Sequence, residues 1–211
     1  MLINIHTHHA RNNQYEIIQS DKLEVDYTFS FGLLHQPYPE ASKTLETIDQ
    51  IYRHKNCLAV GEIGLDKNST IDLDIQLHTF KKQLFASEKY QLPVILHCVK
   101  SWNEILQIKQ ATNPSQTWIF HGFRKTNLLT SVLESGVHIS IGTAVIWDKK
   151  LQEQVKNIPL NRLFLETDND TNYTIENVYQ KIALIKNISL QALKDQVYIN
   201  TKNTFQKWEI G

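Results

Sequence analysis

Five short apolar runs in this chain each end in a histidine or a carboxylate, and that pattern restricts the folds the chain can adopt. Runs of this length, rich in Val, Ile, Leu and aromatic residues, are typical of buried parallel strands. They occupy residues 2–8, 58–62, 94–97, 118–121 and 163–168. In a closed barrel of parallel strands the carboxyl ends meet at one rim, so we expect these polar groups to converge there.

Segments with apolar residues at helical spacing alternate with the strand-like runs from about residue 39 onward. They cover residues 39–54, 71–90, 101–108, 128–133, 149–156, 175–188 and 190–204, and one further strand is expected over residues 137–141. Ser101 followed by Glu104 has the spacing of a capping box at a helix start. This alternation predicts an α/β fold whose parallel sheet curls into a barrel, in one domain over residues 1–211.

The amino-terminal region is too short for a regular barrel of eight strand–helix units. Between His8 and Glu62 such a barrel needs two more strands and three helices, yet residues 9–38 contain only two strand-like runs, 15–19 and 27–34. The segment between these runs is shorter than the dozen or so residues that a crossover helix needs. We therefore expect either a hairpin or a TIM-type (β/α) barrel that is truncated or irregular over residues 9–38.

Composition and charge narrow the class of protein. Lys plus Arg and Asp plus Glu both number 22, so no overall positive field favours nucleic acid, although a local patch remains compatible. Two cysteines, Cys57 and Cys98, are too few for a disulfide framework and favour free thiols in a reducing compartment. The first strand begins at Leu2 and no run is long enough to cross a bilayer, so we expect a cytoplasmic protein without a membrane partner.

The polar groups that end the runs are of the types that bind metal ions. His6 and His8 are two residues apart on a strand, so both point to one face and can share a cation. Glu62 is costly to bury without a balancing cation, and the nearby Gly61 and Gly64 suggest close packing around it. Each residue alone also fits a packed or ion-paired role. Their joint pattern is what favours a metal centre.

That joint pattern supplies four imidazoles and two carboxylates. The candidate ligands are His6, His8, Glu62, His97, His121 and Asp168. Nitrogen and oxygen ligands without thiolates suit Mg, Mn or Zn, and also Fe. Six ligands exceed what one catalytic cation with an open position needs, so we expect two divalent cations bridged by a carboxylate. Glu166 shares the face of Asp168 one layer deeper, and either accepts the N–H of a ligand histidine or forms a buried ion pair.

Longer motifs resemble the TatD family of metal-dependent deoxyribonucleases. They read HTH at 6–8, GEIGLD at 61–66, LPVILH at 92–97, HGF at 121–123, GVHIS at 136–140 and LETD at 165–168. The resemblance covers roughly residues 55–205 and the first strand. It implies a (β/α)8-type barrel with a divalent metal site, in a family of which several members cleave DNA. The ligands it implies are His6, His8 and Asp168 for one cation, His97 and His121 for the second, and Glu62 as the bridge.

The chain departs from the family pattern around this site. Val99 stands where the family usually has an arginine, residues 122–125 replace a Cys-Phe-Ser-Gly type of sequence, and residues 169–170 replace Ala-Pro. The Gly-x-His-Pro element is stretched over residues 32–37. The comparison therefore implies a retained metal site with different substrate surroundings. The candidate substrate contacts are Lys100, Arg124 and His35.

The function that these residues predict is metal-dependent hydrolysis of a phosphodiester bond in DNA, in a single strand or at a 3′ end. A cation lowers the pKa of a bound water toward ~7, which makes hydroxide available at neutral pH. Glu62 and Asp168 are the candidate catalytic carboxylates, and Asp168 orients the water or accepts its proton. The sequence gives no sign of an obligate protein partner.

Three alternatives stay open. An amidohydrolase acting on a small amide or lactone has the same ligand types, although many such enzymes bridge their metals with a modified lysine where this chain has Glu62. A PHP-type phosphoesterase begins with a similar His-Thr-His-His segment, but it closes with Asp-x-His where residues 168–170 read Asp-Asn-Asp. A catalytically inactive metal-binding homologue, with its short amino-terminal side serving a partner, is the third.

Overall fold

Eight parallel strands form one sheet in chain order. The computed structural model describes residues 1–11, 15–20, 22, 25–34, 36–39 and 41–210. The strands are β1 (Asn4–Thr7), β2 (Glu16–Gln19), β3 (Phe29–Phe31), β4 (Cys57–Asp66), β5 (Val94–Val99), β6 (Trp118–Phe120), β7 (His138–Ile141) and β8 (Leu163–Leu165). Thr7 forms a parallel bridge with Asp168, whose N–H donates to the carbonyl of His6 at 3.0 Å, so the two ends of the sheet meet and close the barrel.

Helices follow β3 and each later strand, as the helical spacing predicts. They are α1 (Ser42–Arg53), α2 (Leu73–Tyr90), α3 (Trp102–Thr112), α4 (Leu129–Glu134), α5 (Lys149–Val155), α6 (Ile175–Lys186) and α7 (Leu190–Thr204). The capping box predicted at α3 is wrong, because the Ser101 hydroxyl donates to the carbonyl of Val99 and Glu104 pairs with Lys67 instead. No described helix is both long and apolar enough to span a membrane.

The amino-terminal strands β2 and β3 run parallel to β1 and to each other, so the hairpin alternative is wrong and the irregular barrel is confirmed. Ile18 pairs with Phe29, and Gln19 pairs with Ser30. None of the described residues between β1 and β3 is helical. At a maximum of about 3.3 Å per residue, the length of chain between β2 and β3 is sufficient to return along the four residues of β2.

Buried side-chain hydrogen bonds fix β1 against its neighbours. The Asn4 side chain donates to the Thr167 hydroxyl at 2.9 Å and accepts from the Thr167 N–H at 3.1 Å. On the α6 side, the Tyr179 hydroxyl accepts from the Ile3 N–H at 3.0 Å and donates to the Ile3 carbonyl at 3.1 Å. These contacts place His6 of β1 beside the segment that follows β8.

His138 lies at the opposite, amino-terminal end of β7. Its ring stacks on Phe164 with 5.7 Å between centroids, and its buried Nδ1 has no hydrogen-bond partner in the described part of the chain. Burial, aided by the positive charges of Arg162 and Lys109, lowers the pKa of His138 to about 4. The folded protein therefore keeps this imidazole neutral in mild acid.

We expect His138→Phe to remove part of the stability loss that the protein shows on acidification. Between about pH 6.5 and pH 4 the unfolded chain binds a proton at His138 that the folded chain does not. The free energy of unfolding therefore decreases as the pH is lowered through this range. The wild type should lose about 1–2 kcal/mol more than the variant between pH 7.5 and pH 5 in urea denaturation. His78→Gln, on the exposed face of α2, controls for loss of a histidine. Parallel pH curves for wild type and His138→Phe would contradict this account.

Candidate metal centre

The structure brings the six predicted ligands together at the carboxyl end of the barrel. They are His6, His8, Glu62, His97, His121 and Asp168. Glu62 and His97 lie inside β4 and β5, which continue to Asp66 and Val99, so the expectation that every ligand ends its strand is wrong for these two. β4 and β5 stay paired beyond the ligands because the residue directly opposite His97 is Gly64, which has no side chain to separate the strands.

The Glu62 carboxylate lies at the centre of the cluster. Its Oε1 is 2.5 Å from His97 Nδ1 and 2.8 Å from His121 Nε2. Its Oε2 is 3.7 Å from His6 Nε2 and 3.6 Å from His8 Nε2. Each carboxylate oxygen therefore faces a different pair of imidazoles, which is the arrangement a bridging ligand requires.

Both carboxylates of the cluster are ionised at neutral pH. Burial raises the pKa of Glu62, but hydrogen bonds with His121 and His97 and the nearby His8 imidazole outweigh it and hold that pKa far below its usual range. Burial also raises the pKa of Asp168, and contacts with neighbouring imidazoles again lower it overall. The neighbouring Glu62 carboxylate raises the pKa of His8, against the effect of burial. The two ionised carboxylates are thus available as anionic metal ligands.

A second group of ligand atoms surrounds Asp168. Its Oδ1 is 3.6 Å from His6 Nε2 and 3.4 Å from His8 Nε2. These separations are too long for hydrogen bonds, but two ligands that each lie about 2.1 Å from one shared cation are separated by such distances. Among the residues that the structure describes, ligand atoms close enough to share an ion occur in two groups, His6 with His8 and Asp168, and His6 with Glu62 and His121.

His6 supplies the strongest sign that the cluster fits a cation. Its side chain is fully buried, and within the described residues neither ring nitrogen has a hydrogen-bond partner. A buried polar group without a partner costs about 1–3 kcal/mol, so such groups are rare in stable proteins. A cation held by Nε2 would satisfy that atom. The residues present therefore fit the metal that their types predict.

Glu166 lies behind His121, as the sequence suggests. Its buried Oε1 accepts the N–H of Gly122 at 2.5 Å and is 3.5 Å from His121 Nδ1. Burial lowers the pKa of His121, but the carboxylates of Glu166 and Glu62 outweigh it and raise that pKa well above its usual value. Glu166 is therefore placed to orient the His121 ring so that Nε2 of His121 faces the cluster.

Gln19 is a polar residue at this rim that the sequence reasoning missed. Its Oε1 accepts the N–H of Glu62 at 2.6 Å and the hydroxyl of Ser30 at 3.1 Å. These contacts connect β2, β3 and β4 beside the central carboxylate. The available signal was its position at the end of the strand-like run 15–19, the same position that marks the histidines elsewhere.

The candidate substrate contacts have different surroundings. Lys100 is exposed directly after β5. Arg124 pairs with Asp148 at 3.3 Å and lies over the ring of Trp147. His35 lies outside the described residues. Among the candidates, Arg124 is the one that the structure places in a cleft with Asp168.

Trp147 corrects another expectation. The four tryptophans are most simply read from the sequence as core or helix-packing residues, and Trp102, Trp118 and Trp208 are indeed buried. Trp147 is instead 54% exposed. It directly follows a 3-10 turn, Thr143–Ile146, and its side chain lines a cleft at the rim together with Asp168.

Two clefts border the cluster on opposite sides. One of about 290 Å³ lies by the ends of β6, β7 and β8, and its lining includes Arg124, Trp147 and Asp168. The other, of about 410 Å³, lies by the ends of β1 and β2, and its lining includes His8 and Gln19. Asp168 therefore borders one cleft and His8 borders the other.

Comparisons with known proteins agree with this architecture. The profile of TatD related DNases matches residues 29–206. A 3′-5′ ssDNA/RNA exonuclease TatD from Erwinia tasmaniensis is 27% identical over 206 residues, covering 85% of this chain and 79% of the relative. An uncharacterized metal-dependent hydrolase from Haemophilus influenzae is 25% identical over 184 residues, covering 79% and 72%. The crystal structure of YjjV, a TatD homologue from Escherichia coli K12, shares the fold with a TM-score of 0.75 at 21% identity, over 90% of this chain and 86% of that one.

The resemblance predicted from the sequence motifs is thus confirmed by a match over most of the chain. The eight-stranded parallel barrel agrees with the fold of the solved relative. The histidines and carboxylates at its rim agree with the metal dependence in the relatives' names. The chain belongs to the TatD-related DNase family and is a metal-dependent hydrolase of the TatD type.

Proposed function

We propose that this protein hydrolyses phosphodiester bonds at the 3′ ends of single-stranded nucleic acid, with DNA as a substrate. The observation that carries the proposal is the position of Glu62, whose two oxygens face two separate pairs of imidazoles. Such a shared carboxylate suits a pair of cations that act on the attacking and leaving oxygens of a phosphodiester. A relative named as a 3′-5′ ssDNA/RNA exonuclease supports the choice of substrate.

Two divalent cations, Mg, Mn or Zn, fit the ligands in two overlapping sets. His6, His8 and Asp168 would hold one, His97 and His121 would hold the other, and Glu62 would be shared between them. When bound, they would supply Lewis acidity that lowers the pKa of a water and offsets the charge of the scissile phosphate.

Asp168 is the residue best placed to move a proton. Its side chain is 39% exposed, and its lowered pKa keeps it ionised at neutral pH. An oxygen that faces solvent can orient a water for attack and accept its proton. Lys100 and Arg124 would bind phosphates of the strand, which supplies the local positive charge that a chain of zero net charge otherwise lacks.

The direct test is cleavage of a 5′-labelled single-stranded oligonucleotide. We expect stepwise shortening from the 3′ end that needs added Mg²⁺ or Mn²⁺, stops with a chelator and is slower on a duplex. Asp168→Asn should lower kcat/KM at least about 100-fold, because it removes the ionised proton acceptor. Asp195→Asn on α7 is the control for loss of an exposed carboxylate. Hydrolysis of amides or lactones in preference to oligonucleotides, or full nuclease activity in Asp168→Asn, would refute the proposal.

Glu166→Gln should weaken binding of the cation that His121 holds about 10- to 100-fold and lower activity to a similar extent. The glutamine keeps an oxygen for the Gly122 N–H but loses the charge that faces His121 Nδ1. The measurement is Mn²⁺ affinity by calorimetry, with Glu153→Gln on the exposed face of α5 as the control. Unchanged Mn²⁺ affinity would assign Glu166 to packing alone.

A further inference from the structure

Trp147 is an exposed aromatic side chain in the cleft that contains Asp168. More than half of it is accessible to solvent, although the Arg124 guanidinium lies over its ring with Cζ 4.7 Å from the centroid. Arg124 is itself held by Asp148 at 3.3 Å. The other large exposed apolar residues in the described ranges lie outside this cleft: Ile75, Phe85, Leu184 and Ile199. The Trp147 indole, held by Arg124, is therefore exposed to solvent in the same cleft as the candidate catalytic carboxylate of Asp168.

The charges of this cleft indicate what it can hold. Asp168, Asp170 and Glu166 contribute to its lining, and Arg124 is the basic side chain among the described lining residues. A neutral aromatic base adds no charge beside these carboxylates, and Arg124 is the lining group that can balance the charge of a phosphate. Its volume of about 290 Å³ lies at the small end of the range for ligand pockets, so one nucleotide unit is the appropriate size.

We propose that Trp147 is a stacking platform for the nucleobase next to the scissile phosphate. The inference rests on the proposed function. It adds a contact with the base, which distinguishes a nucleotide from other phosphodiesters. Aromatic side chains stack on any base, so the subsite accepts single strands of varied sequence. The Arg124 guanidinium holds the indole in place through a cation–π contact.

The test compares two single-stranded oligonucleotides that differ only at the 3′-terminal nucleotide, which is complete in one and abasic in the other. In Trp147→Ala the ratio of kcat/KM, complete over abasic, should fall about 5- to 100-fold below that of the wild type, which is the effect of losing one base–aromatic stack. Trp147→Phe should restore most of the ratio. Phe85→Ala, an exposed aromatic replacement on α2, should leave the ratio at its wild-type value. An unchanged ratio in Trp147→Ala would overturn the proposal.

A binding measurement separates this inference from the proposed function. Titration of hexathymidylate with Mg²⁺ into Asp168→Asn should quench tryptophan fluorescence, and the quench should be lost in the double variant that also carries Trp147→Phe. If the wild type cleaves neither oligonucleotide, the nuclease proposal fails while the quench still decides the stacking site. Equal quenching in both variants would reject Trp147 as the platform even in an active nuclease.

Discussion

Glu62→Gln is expected to lower the hydrolase activity about 100- to 1,000-fold and to reduce the number of bound metal ions to one or none. The substitution keeps the shape of the side chain but removes the charge that both ligand sets share. It also places an amide donor, which cannot act as an anionic ligand, 2.5–3.7 Å from imidazole nitrogens that now face the carboxylate. The measurements are kcat/KM on a single-stranded oligonucleotide and metal content by elemental analysis.

The matched control for this variant is Glu153→Gln, which removes an exposed carboxylate from α5. It should keep wild-type activity and metal content. Thermal denaturation with and without Mn²⁺ adds an independent readout, because an ion that binds the folded state raises Tm by mass action. We expect that shift in the wild type and a smaller one in Glu62→Gln. Unaltered metal content in Glu62→Gln would contradict the bridging role.

The convergence of the six candidate ligands could be predicted because each apolar run and the polar residue that ends it can be recognised from a few neighbouring residues. A run such as 94–97 is apolar until His97, and parallel strands bring their carboxyl ends to one rim whatever the details of packing. The same logic places Glu166 one layer below Asp168. Gln19 ends a run in the same way, but its amide carries no metal-ligand signal, so the sequence pattern alone does not mark it as a site residue.

Trp147 and the amino-terminal strands show where local patterns stop being informative. The exposure of an indole depends on how the turn after β7 leaves the barrel, and periodicity within the segment does not encode that direction. Whether β2 and β3 form a hairpin or parallel neighbours depends on pairing with β1 and β4, which lie far apart in sequence. Tertiary pairing decided both features.

Gly64→Ala is expected to have the largest effect on stability, at about 4 kcal/mol or more, or to prevent folding altogether. Gly64 has a φ of 150°, and a Cβ built there would lie only 1.9 Å from the backbone carbonyl oxygen of His97. That oxygen belongs to the paired strand, so β4 and β5 would have to separate at the position that carries a candidate ligand. The expectation from the sequence that Gly61 and Gly64 allow close packing is confirmed by these short distances.

Gly136→Ala separates the steric clash from the backbone strain, because Gly136 also has a positive φ, of 77°, but a Cβ there meets no atom within 4 Å. It should cost only the left-handed conformation, about 1–2 kcal/mol. Urea denaturation of both variants gives the comparison, and the yield of soluble protein replaces it where Gly64→Ala does not fold. Because the clash lies at His97, any folded Gly64→Ala protein should also bind Mn²⁺ more weakly than Gly136→Ala. Equal destabilisation of the two variants would show that the β4–β5 ladder yields at Gly64 without disturbing the cluster.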